Sequence, residues 1–370
     1  MRNLTAVAIG GSNTVMRTGY LSALPRCLER YGIRLSLKAN LAVGNTTILN
    51  GIINLKQNEA ALKGSDVLLI EYTLNDTNAF AGSFEAVAKW VKGMEGAIRF
   101  ARTVNPAIKV VPIIFATKTG VHRTTINPLH GGVHYLANYY GLVAVDVNAT
   151  MTVRFGRDFF DDPGAYADWA HYQRPFLTTV AAEIIAEKVK DHLLSRSIPG
   201  GLPPAVDPDH YGDAPIISSS AVPGLKAEIF KNSLGEEATF DLASGELELE
   251  FDGGTMLAAK FACTQDTSQC YILVNDIWYQ ARTLQPGMDV PKFKFLIGLL
   301  SFDALPQPDP GSKILLTGIK PDVPEIRELA QRGAAKPVRE VRLPICAILH
   351  TGKLKKLRAT PKEKAEIVPA

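Results

Sequence analysis

An apolar run near the N-terminus stops at two glycines, and it constrains the fold more than any other stretch. Residues 4–9 are apolar without regular polar alternation, which is typical of a short strand covered on both faces, as in a parallel sheet. Gly10 and Gly11 allow a tight turn. The turn presents Ser12 at the carboxyl end of the strand, where open α/β sheets place their chemistry. Ser12 is therefore a candidate functional residue, or else a simple cap of the following helix.

Strand-like and amphipathic segments alternate through the first half of the chain. The pattern predicts strands over 4–9, 33–39, 66–72, 108–115 and 142–147, and helices over 19–31, 48–62, 84–104, 133–140 and 175–194. This alternation predicts an α/β domain, a doubly wound parallel sheet of five strands with helices on both faces. Right-handed crossovers favour a flavodoxin-like strand order.

The pattern changes near Ser197. Residues 197–215 are rich in Pro, Gly and Asp, which predicts a linker between a first domain, 1–196, and a second domain, 216–370. Short alternating segments such as 246–251 follow, separated by turn residues, and they are typical of an antiparallel β-sandwich or jelly roll. Within this domain a helix is predicted only over 323–332. The tail 353–364 is locally basic and is interpreted as a solvated terminus.

Composition excludes several classes of protein. The chain has 370 residues, 46% of them hydrophobic and 21% charged, and a net charge of +3, as in ordinary globular proteins. This balance does not suggest a nucleic-acid or membrane partner. No apolar run has the length of a membrane span, and residues 4–9 are too short for a signal segment, which predicts a cytoplasmic protein.

The four cysteines do not follow a zinc-binding pattern. Cys263 and Cys270 flank a predicted hairpin loop and could pair under oxidising conditions. In a cytoplasmic protein we expect them to stay reduced.

Polar residues follow the predicted strands of the first domain. Ser12 follows the first strand, Gly44 the second and Asn75 the third, and Asp168 and His171 follow the fifth. Because the carboxyl ends of parallel strands meet at one edge of the sheet, we expect these residues to converge.

These residue types suit acyl transfer. A serine hydroxyl needs a neighbouring base, for which His171 is the candidate, and Asp168 is close enough in sequence to orient the imidazole. The oxyanion of the tetrahedral intermediate needs fixed donors. The backbone N–H groups of Ser12 and Gly44 and the side-chain amide of Asn75 could supply them. Asn75 could instead form only a local turn with Thr77.

The chain here resembles a known family, the SGNH or GDSL hydrolases, over residues 1 to about 195. The matching segments are Gly10-Gly11-Ser12, Gly44-Asn45-Thr46-Thr47, Thr73-Leu74-Asn75-Asp76 and Asp168-Trp169-Ala170-His171. Two positions depart from the family pattern, because Gly11 replaces its aspartate and Thr73 its glycine. The first departure is expected to change how the serine loop is held, and the second to crowd the oxyanion pocket.

The resemblance implies a serine hydrolase that forms an acyl-enzyme and needs neither a metal nor an organic cofactor. Its preferred substrates would be acyl esters, above all acetyl esters, of a carbohydrate or a small molecule. Two alternatives remain open at this point. One is an O-acyltransferase that uses the same residues to modify a polysaccharide, and the other is a catalytically silent glycan-binding protein.

Other polar pairs have simpler interpretations. His130 and His134 are four residues apart, as metal ligands on a helix often are, but no third ligand is evident, and they more simply border the cleft or the surface. Asp161 and Asp162 could form a carboxylate pair for glycoside hydrolysis, although a solvated loop explains them as well.

The second domain contains one aromatic pair of interest. Trp278 and Tyr279 could form a platform for a sugar ring. Because successive residues of a strand point to opposite faces, we expect one of the two to face the core.

Overall fold

The computed structural model describes residues 1–118, 127–196, 200–232, 235–288, 293–309, 311–329, 331, 334–337 and 339–362. The chain divides into two compact units, Met1–Asp213 and Ala214–Ala370. Each unit contains a hydrophobic cluster built from residues of its own range.

The first unit centres on a parallel sheet. Its strands are β1 (Arg2–Gly10), β2 (Ile33–Asn40), β3 (Val67–Glu71), β4 (Lys109–Ile114) and β5 (Val145–Asp146). They lie in the order β2-β1-β3-β4-β5, which confirms the flavodoxin-like prediction. Because the chain crosses from one side of β1 to the other between β2 and β3, the carboxyl end of β1 lies at the switch point, where such sheets bind ligands.

Helices connect these strands. They are α1 (Ser12–Val15), α2 (Tyr20–Glu29), α3 (Ile48–Gln57), α4 (Glu59–Lys63), α5 (Thr73–Phe80), α6 (Phe84–Val104), α7 (Pro128–Tyr139), α8 (Val147–Phe155) and α9 (Phe176–Leu194). The alternate β1 residues Leu4, Ala6 and Ala8 share a hydrophobic cluster with buried residues of α2 and α9. Val7 and Ile9 point to the opposite face and are also buried, and α3 contacts β1. The sheet is therefore covered on both faces, as predicted.

Local predictions were wrong at several places in the first unit. The helix predicted over 48–62 is divided at Asn58, whose backbone leaves the helical region at φ −121° and ψ 36° and whose side chain donates to the Asn54 carbonyl at 2.9 Å. The fifth strand has only two residues. Residues 73–80 and 148–155, predicted as loops, are helical and lie in α5 and α8, because tertiary contacts override their modest helix propensity.

The described residues of the second unit form two sheets of six strands each. One sheet contains β6 (Ile216–Ser218), β7 (Ala227–Lys231), β8 (Glu236–Asp241), β10 (Met256–Cys263), β13 (Leu296–Ser301) and β16 (Pro344–His350). The other contains β9 (Gly245–Asp252), β11 (Cys270–Val274), β12 (Ile277–Ala281), β14 (Lys313–Thr317), β15 (Arg327–Leu329) and β17 (Lys353–Pro361). Phe261 and Ile348 of the first sheet and Leu249 and Ile272 of the second share one hydrophobic cluster. The predicted β architecture is confirmed as two packed sheets.

Residues 353–362, the described part of the basic tail predicted over 353–364, do not form a solvated terminus. It forms strand β17, which pairs with β9 along its length. Lys356 binds Glu248 at 2.7 Å, and Lys362 binds Glu246. Since alternate residues of β9 are glutamates on its outer face, they attract the lysines of the neighbouring strand.

The helix predicted over 323–332 is also absent from the part of that range that the structure describes. Residues 327–329 instead form β15, which pairs in parallel with β12. Without β15, the edge of β12 would have unpaired backbone groups, and these groups offer hydrogen bonds to an extended segment. This explains why residues 327–329 form a strand.

Residues 200–213 fall within the range predicted as a linker, but they belong to the first unit and make hydrogen bonds to α6. The Glu95 carboxylate on α6 accepts from the backbone N–H groups of Val206 and Asp207 at 2.6 and 2.8 Å. Arg102 of the same helix donates to the carbonyl of Gly200.

All four cysteines are buried and carry free thiols. Cys263 and Cys270 both face the core of the second unit. The Sγ atom of Cys263 accepts from the Gln285 N–H at 3.3 Å. Burial raises the pKa of both thiols, which leaves them protonated and poorly reactive at neutral pH.

Candidate active site

Ser12 lies where β1 ends and α1 begins. The turn before it needs glycine, because a Cβ on Gly10 would lie 2.5 Å from Thr14 Oγ1 and 2.7 Å from the Glu71 carbonyl oxygen. The Gly11 N–H donates to that same carbonyl oxygen at 3.0 Å. The serine loop is therefore held against the end of β3.

Ser12, His171 and Asp168 form a continuous chain of contacts. The Nε2 atom of His171 lies 2.7 Å from Ser12 Oγ, and its Nδ1 atom lies 2.6 Å from Asp168 Oδ2. The side chain of His171 is 20% exposed and that of Asp168 is 47% exposed. With Nδ1 donating to the carboxylate, Nε2 is left to accept the serine proton.

The Asp168 carboxylate is held by its own loop. Its Oδ1 atom accepts from the backbone N–H groups of Ala170 at 2.8 Å and His171 at 2.9 Å. Partial burial alone would raise the pKa of Asp168, but the hydrogen bonds from the His171 ring and from these two N–H groups outweigh it and lower the pKa. Asp168 is therefore ionised at neutral pH and stabilises a positive charge on His171.

Hydrogen bonds join the histidine loop to the rest of the site. The Asn13 side chain donates to the Ala170 carbonyl at 3.2 Å, and the Lys118 N–H donates to the Trp169 carbonyl at 2.8 Å. Within the loop the Ala167 N–H donates to the His171 carbonyl at 2.8 Å. Because Asn13 directly follows Ser12, the first of these bonds ties the serine loop to the histidine loop.

Gly44 and Asn75 lie beside the serine loop. A Cβ on Gly44 would be 3.5 Å from the Cβ of Ser12, so these residues are neighbours. Asn75 is buried on the first turn of α5, and its Nδ2 atom donates to the Thr46 carbonyl at 2.8 Å. The structure thus brings together all five residues singled out from the sequence: Ser12, Gly44, Asn75, Asp168 and His171.

The two departures from the family pattern have visible consequences. A Cβ on Gly11 would lie 2.8 Å from Asn75 Nδ2, so glycine at this position lets the asparagine amide pack against the serine loop. The Thr73 hydroxyl is directed to the Phe115 carbonyl at the end of β4, at 3.5 Å.

Asp76, the last residue of the Thr73-Leu74-Asn75-Asp76 segment, accepts two hydrogen bonds from neighbouring helices. Its Oδ1 atom accepts from the Ile48 N–H at the start of α3 at 3.0 Å, and its Oδ2 atom accepts from Trp90 Nε1 on α6 at 2.9 Å. It thereby anchors the helix that follows the Gly44 loop.

Glu71 lies beside the serine loop and was missed in the sequence analysis. Its Oε2 atom accepts from Thr14 Oγ1 at 2.9 Å, and Thr14 Oγ1 lies 3.1 Å from the hydroxyl of Tyr20. Complete burial raises the pKa of Glu71 to about 8, although the hydrogen bond from Thr14 offsets part of the shift. Its position in the sequence could have identified Glu71, because a carboxyl group directly follows the apolar residues of a strand.

The structure also shows the surroundings of some other candidates. His134 on α7 lies 3.5 Å from Asp146, and the described part of the chain holds no group of three or more His, Cys, Asp and Glu side chains that could bind a metal ion. His122 lies outside the described residues. Asp161 and Asp162 are exposed. Tyr279 belongs to the core of the second unit, as expected for one member of the aromatic pair.

Comparison with solved structures confirms the fold that the resemblance to SGNH hydrolases implied. A two-domain esterase (CEX) active on acetylated mannans, co-crystallised with mannopentaose, matches with a TM-score of 0.59 and 14% identity, over 98% of this chain and 92% of that chain. An acetyl xylan esterase, AlAXEase, matches with a TM-score of 0.41 and 16% identity, over 52% of this chain and 100% of its own. A Clostridium thermocellum family 3 carbohydrate esterase matches with a TM-score of 0.41 and 18% identity, over 54% of this chain and 100% of its own.

No family model matches the chain, and no curated protein matches it significantly. At such low identity the structural likeness establishes the fold, and the function is argued from the site. Among the described residues no helix is both long and apolar enough to cross a membrane.

Proposed function

We propose that this chain is a serine esterase that cleaves acyl esters, above all acetyl esters, of a carbohydrate or a small molecule through an acyl-enzyme. The observation that carries the proposal is the contact of His171 Nε2 with Ser12 Oγ at 2.7 Å, with Asp168 on the other ring nitrogen. The activity of the similarly folded two-domain esterase on acetylated mannans supports a carbohydrate ester as substrate.

The proposed reaction uses side chains and water. His171 Nε2 takes the proton of Ser12 Oγ as that oxygen attacks the ester carbonyl carbon, and it then gives the proton to the departing alcohol. Asp168 stabilises the protonated imidazole during both steps. Water, activated by His171, then releases the acid from Ser12 and restores the free enzyme.

The oxyanion is stabilised at the same edge of the sheet. Its donors in this proposal are the backbone N–H groups of Ser12 and Gly44 and the side-chain amide of Asn75. The Asn75 amide donates to the Thr46 carbonyl at 2.8 Å, which fixes the plane of the amide.

The test is covalent labelling of Ser12 with a fluorophosphonate, together with turnover of p-nitrophenyl acetate. We expect the wild type to be labelled and active, and the Ser12→Ala variant to be neither. Ser22→Ala serves as the matched control and keeps both properties, because Ser22 is an exposed serine of α2. Equal labelling of wild type and Ser12→Ala contradicts the assignment. Faster release of p-nitrophenol on addition of an oligosaccharide, with acylated sugar as the product, would show a transferase.

A further inference from the structure

The residues of the candidate active site reach the edge of the sheet by two different routes. Ser12 follows β1 directly, and Asn75 lies on the first turn of the helix after β3, so neighbouring strands place both. Asp168 and His171 do not follow a strand directly, because α8 and a 3₁₀ turn, Asp158–Asp161, separate them from the end of β5. Other contacts must therefore set the distance between His171 and Ser12.

His171 and the carboxylate that holds it belong to a short hairpin, residues 166–172, which we call the histidine hairpin. Tyr166 and Tyr172 form an antiparallel bridge at its base. The two tyrosine rings are stacked with their centroids 4.8 Å apart, and both residues are buried. Because Tyr172 directly follows His171, a displacement of the tyrosine pair would also displace the imidazole.

Both tyrosine hydroxyls bind the peptide groups of one residue just after β4. The Tyr166 hydroxyl donates to the Ala116 carbonyl at 2.7 Å, and the Ala116 N–H donates to the Tyr172 hydroxyl oxygen at 3.4 Å. Burial raises the pKa of Tyr172 well above its ordinary value, and a hydrogen bond between its hydroxyl and Tyr166 raises it further. Since Tyr166 gives its own proton to Ala116, Tyr172 is the donor in that bond, and the three hydrogen bonds close a ring.

This ring of hydrogen bonds connects the histidine hairpin to the central sheet. Ala116 is joined to β4 through Phe115, whose ring packs edge-on against Tyr172 with the centroids 5.2 Å apart. Strand β4 pairs with β3, and β3 pairs with β1, whose carboxyl end carries Ser12. Buried, hydrogen-bonded and stacked side chains therefore link the position of the imidazole to that of the serine.

We propose that Tyr166 and Tyr172 are positioning residues of the esterase, whose hydroxyls hold the histidine hairpin where His171 Nε2 can accept the Ser12 proton. The proposal rests on the proposed function, and the two tyrosines act through His171. Loss of either hydroxyl slows the reaction without weakening substrate binding, because a misplacement of about 1 Å costs up to about 10²-fold in rate.

Tyr166→Phe and Tyr172→Phe test the proposal, because each removes one hydroxyl and keeps the stacked ring. We expect each variant to lower kcat on p-nitrophenyl acetate about tenfold per folded molecule, with KM within about twofold of the wild-type value. Tyr140→Phe is the matched control, since the buried Tyr140 hydroxyl binds Glu95 and Arg99, away from the histidine hairpin. Its loss should lower Tm as the other two losses do, but leave kcat per folded molecule unchanged.

Proton NMR gives a second measurement that needs no turnover. The short hydrogen bond between His171 Nδ1 and Asp168, 2.6 Å long, should give a downfield proton resonance that His171→Ala removes. We expect Tyr166→Phe and Tyr172→Phe to shift or broaden this resonance, and Tyr140→Phe to leave it as in the wild type.

Two results would overturn the proposal. One is a wild-type kcat per folded molecule in both hairpin variants, and the other is an unchanged resonance in both, even where Tm has fallen. A wild type that is neither labelled by the fluorophosphonate nor active contradicts the esterase assignment instead, and the resonance then still tests whether the tyrosine pair holds His171.

Discussion

At the scale of single residues, the histidine of the candidate triad is fixed at both ring nitrogens. Ser12 and His171 are 159 residues apart in the chain, yet Nε2 and Oγ are at hydrogen-bond distance. The other nitrogen is held by Asp168, whose second oxygen is in turn held by two backbone N–H groups. Such a ring is preorganised to accept one particular proton.

We expect the losses of His171 and Asp168 not to add. His171→Ala and Asp168→Ala should each lower kcat by roughly 10³–10⁴, and the double variant should be no slower than the worse single one, since a triad acts as one unit. Measuring kcat of the four proteins on p-nitrophenyl acetate decides this. A double loss equal to the product of the single losses would mean that the two residues act independently.

Replacing Asn75 separates a catalytic from a structural role. If Asn75 donates to the oxyanion, Asn75→Ala should lower kcat by roughly 10²–10³ with little change in KM. Its bond to the Thr46 carbonyl also predicts a modest drop in Tm. Asn78→Ala, an exposed amide on the same helix, is the control. If kcat per folded molecule stays at the wild-type value, the oxyanion role is wrong.

Glu71 makes the stability of the fold depend on pH. Its pKa in the folded protein is about 8, above the ordinary value of 4.5, because burial disfavours the charge. Between these two values the unfolded chain loses the proton and the folded protein keeps it, so this residue makes stability fall as pH rises from 4.5 to 8 and adds no change above that. The neighbouring groups Tyr20 and Asp76 are also buried.

Glu71→Gln should remove this dependence while it keeps the shape and the contact with Thr14. We expect the Tm of the variant to exceed that of the wild type at pH 8 by about 5 °C or more, and the two to converge near pH 4.5. Thermal unfolding from pH 4.5 to 9 measures both curves. Parallel curves would show that Glu71 is ionised in the folded protein.

At the scale of helices and strands, buried polar side chains set the geometry of the site. Asp76 of α5 accepts hydrogen bonds from the start of α3 and from Trp90 of α6, and it so ties three helices together. The bond of Asn13 to the Ala170 carbonyl does the same for the serine and histidine loops. These bonds join segments that are far apart in sequence, which is why the motifs can act together.

Strand β17 shows the same dependence on long-range partners. Read alone, a run of lysines predicts a solvated tail. Next to β9 the same lysines face glutamates, and the backbone pairs with β9 over most of its length. Pairing therefore determines the structure of this segment more than its composition does.

At the scale of the whole molecule, the first unit ends at Asp213, although the linker was predicted to begin at residue 197. Residues 200–213 supply hydrogen-bond partners to the buried Glu95 and Arg102 of α6. A fragment 1–196 would leave both charged groups without these partners, which is costly.

We therefore expect the fragment 1–213 to fold and to hydrolyse p-nitrophenyl acetate, and the fragment 1–196 to have a Tm lower by about 5 °C or more. Circular dichroism melts of both fragments measure the difference. Glu95→Gln in the longer fragment should reproduce part of the loss. Equal Tm values for the two fragments would show that residues 200–213 do not stabilise the first unit.

Much of this protein follows from the sequence alone. Apolar runs and helical periodicity predicted the α/β class of the first unit and the β character of the second, and the right-handed crossover rule favoured the strand order that the structure shows. Ser12, Gly44 and Asn75 were expected to meet because they follow the first three strands, and parallel strands end at one edge. Asp168 and His171 were expected at the same edge, although α8 separates them from the end of β5. Periodicity and turn chemistry are local properties, and they can be read from neighbouring residues.

Only the tertiary structure decided the remainder. Groups distant in sequence decide the helical state of residues 73–80, the pairing of β17, the docking of residues 200–213 on α6 and the raised pKa of Glu71. Burial and hydrogen bonding between distant segments outweigh local propensity in each case, because an unpaired polar group or a charge in the interior costs more free energy than any single residue's preference for helix, strand or loop.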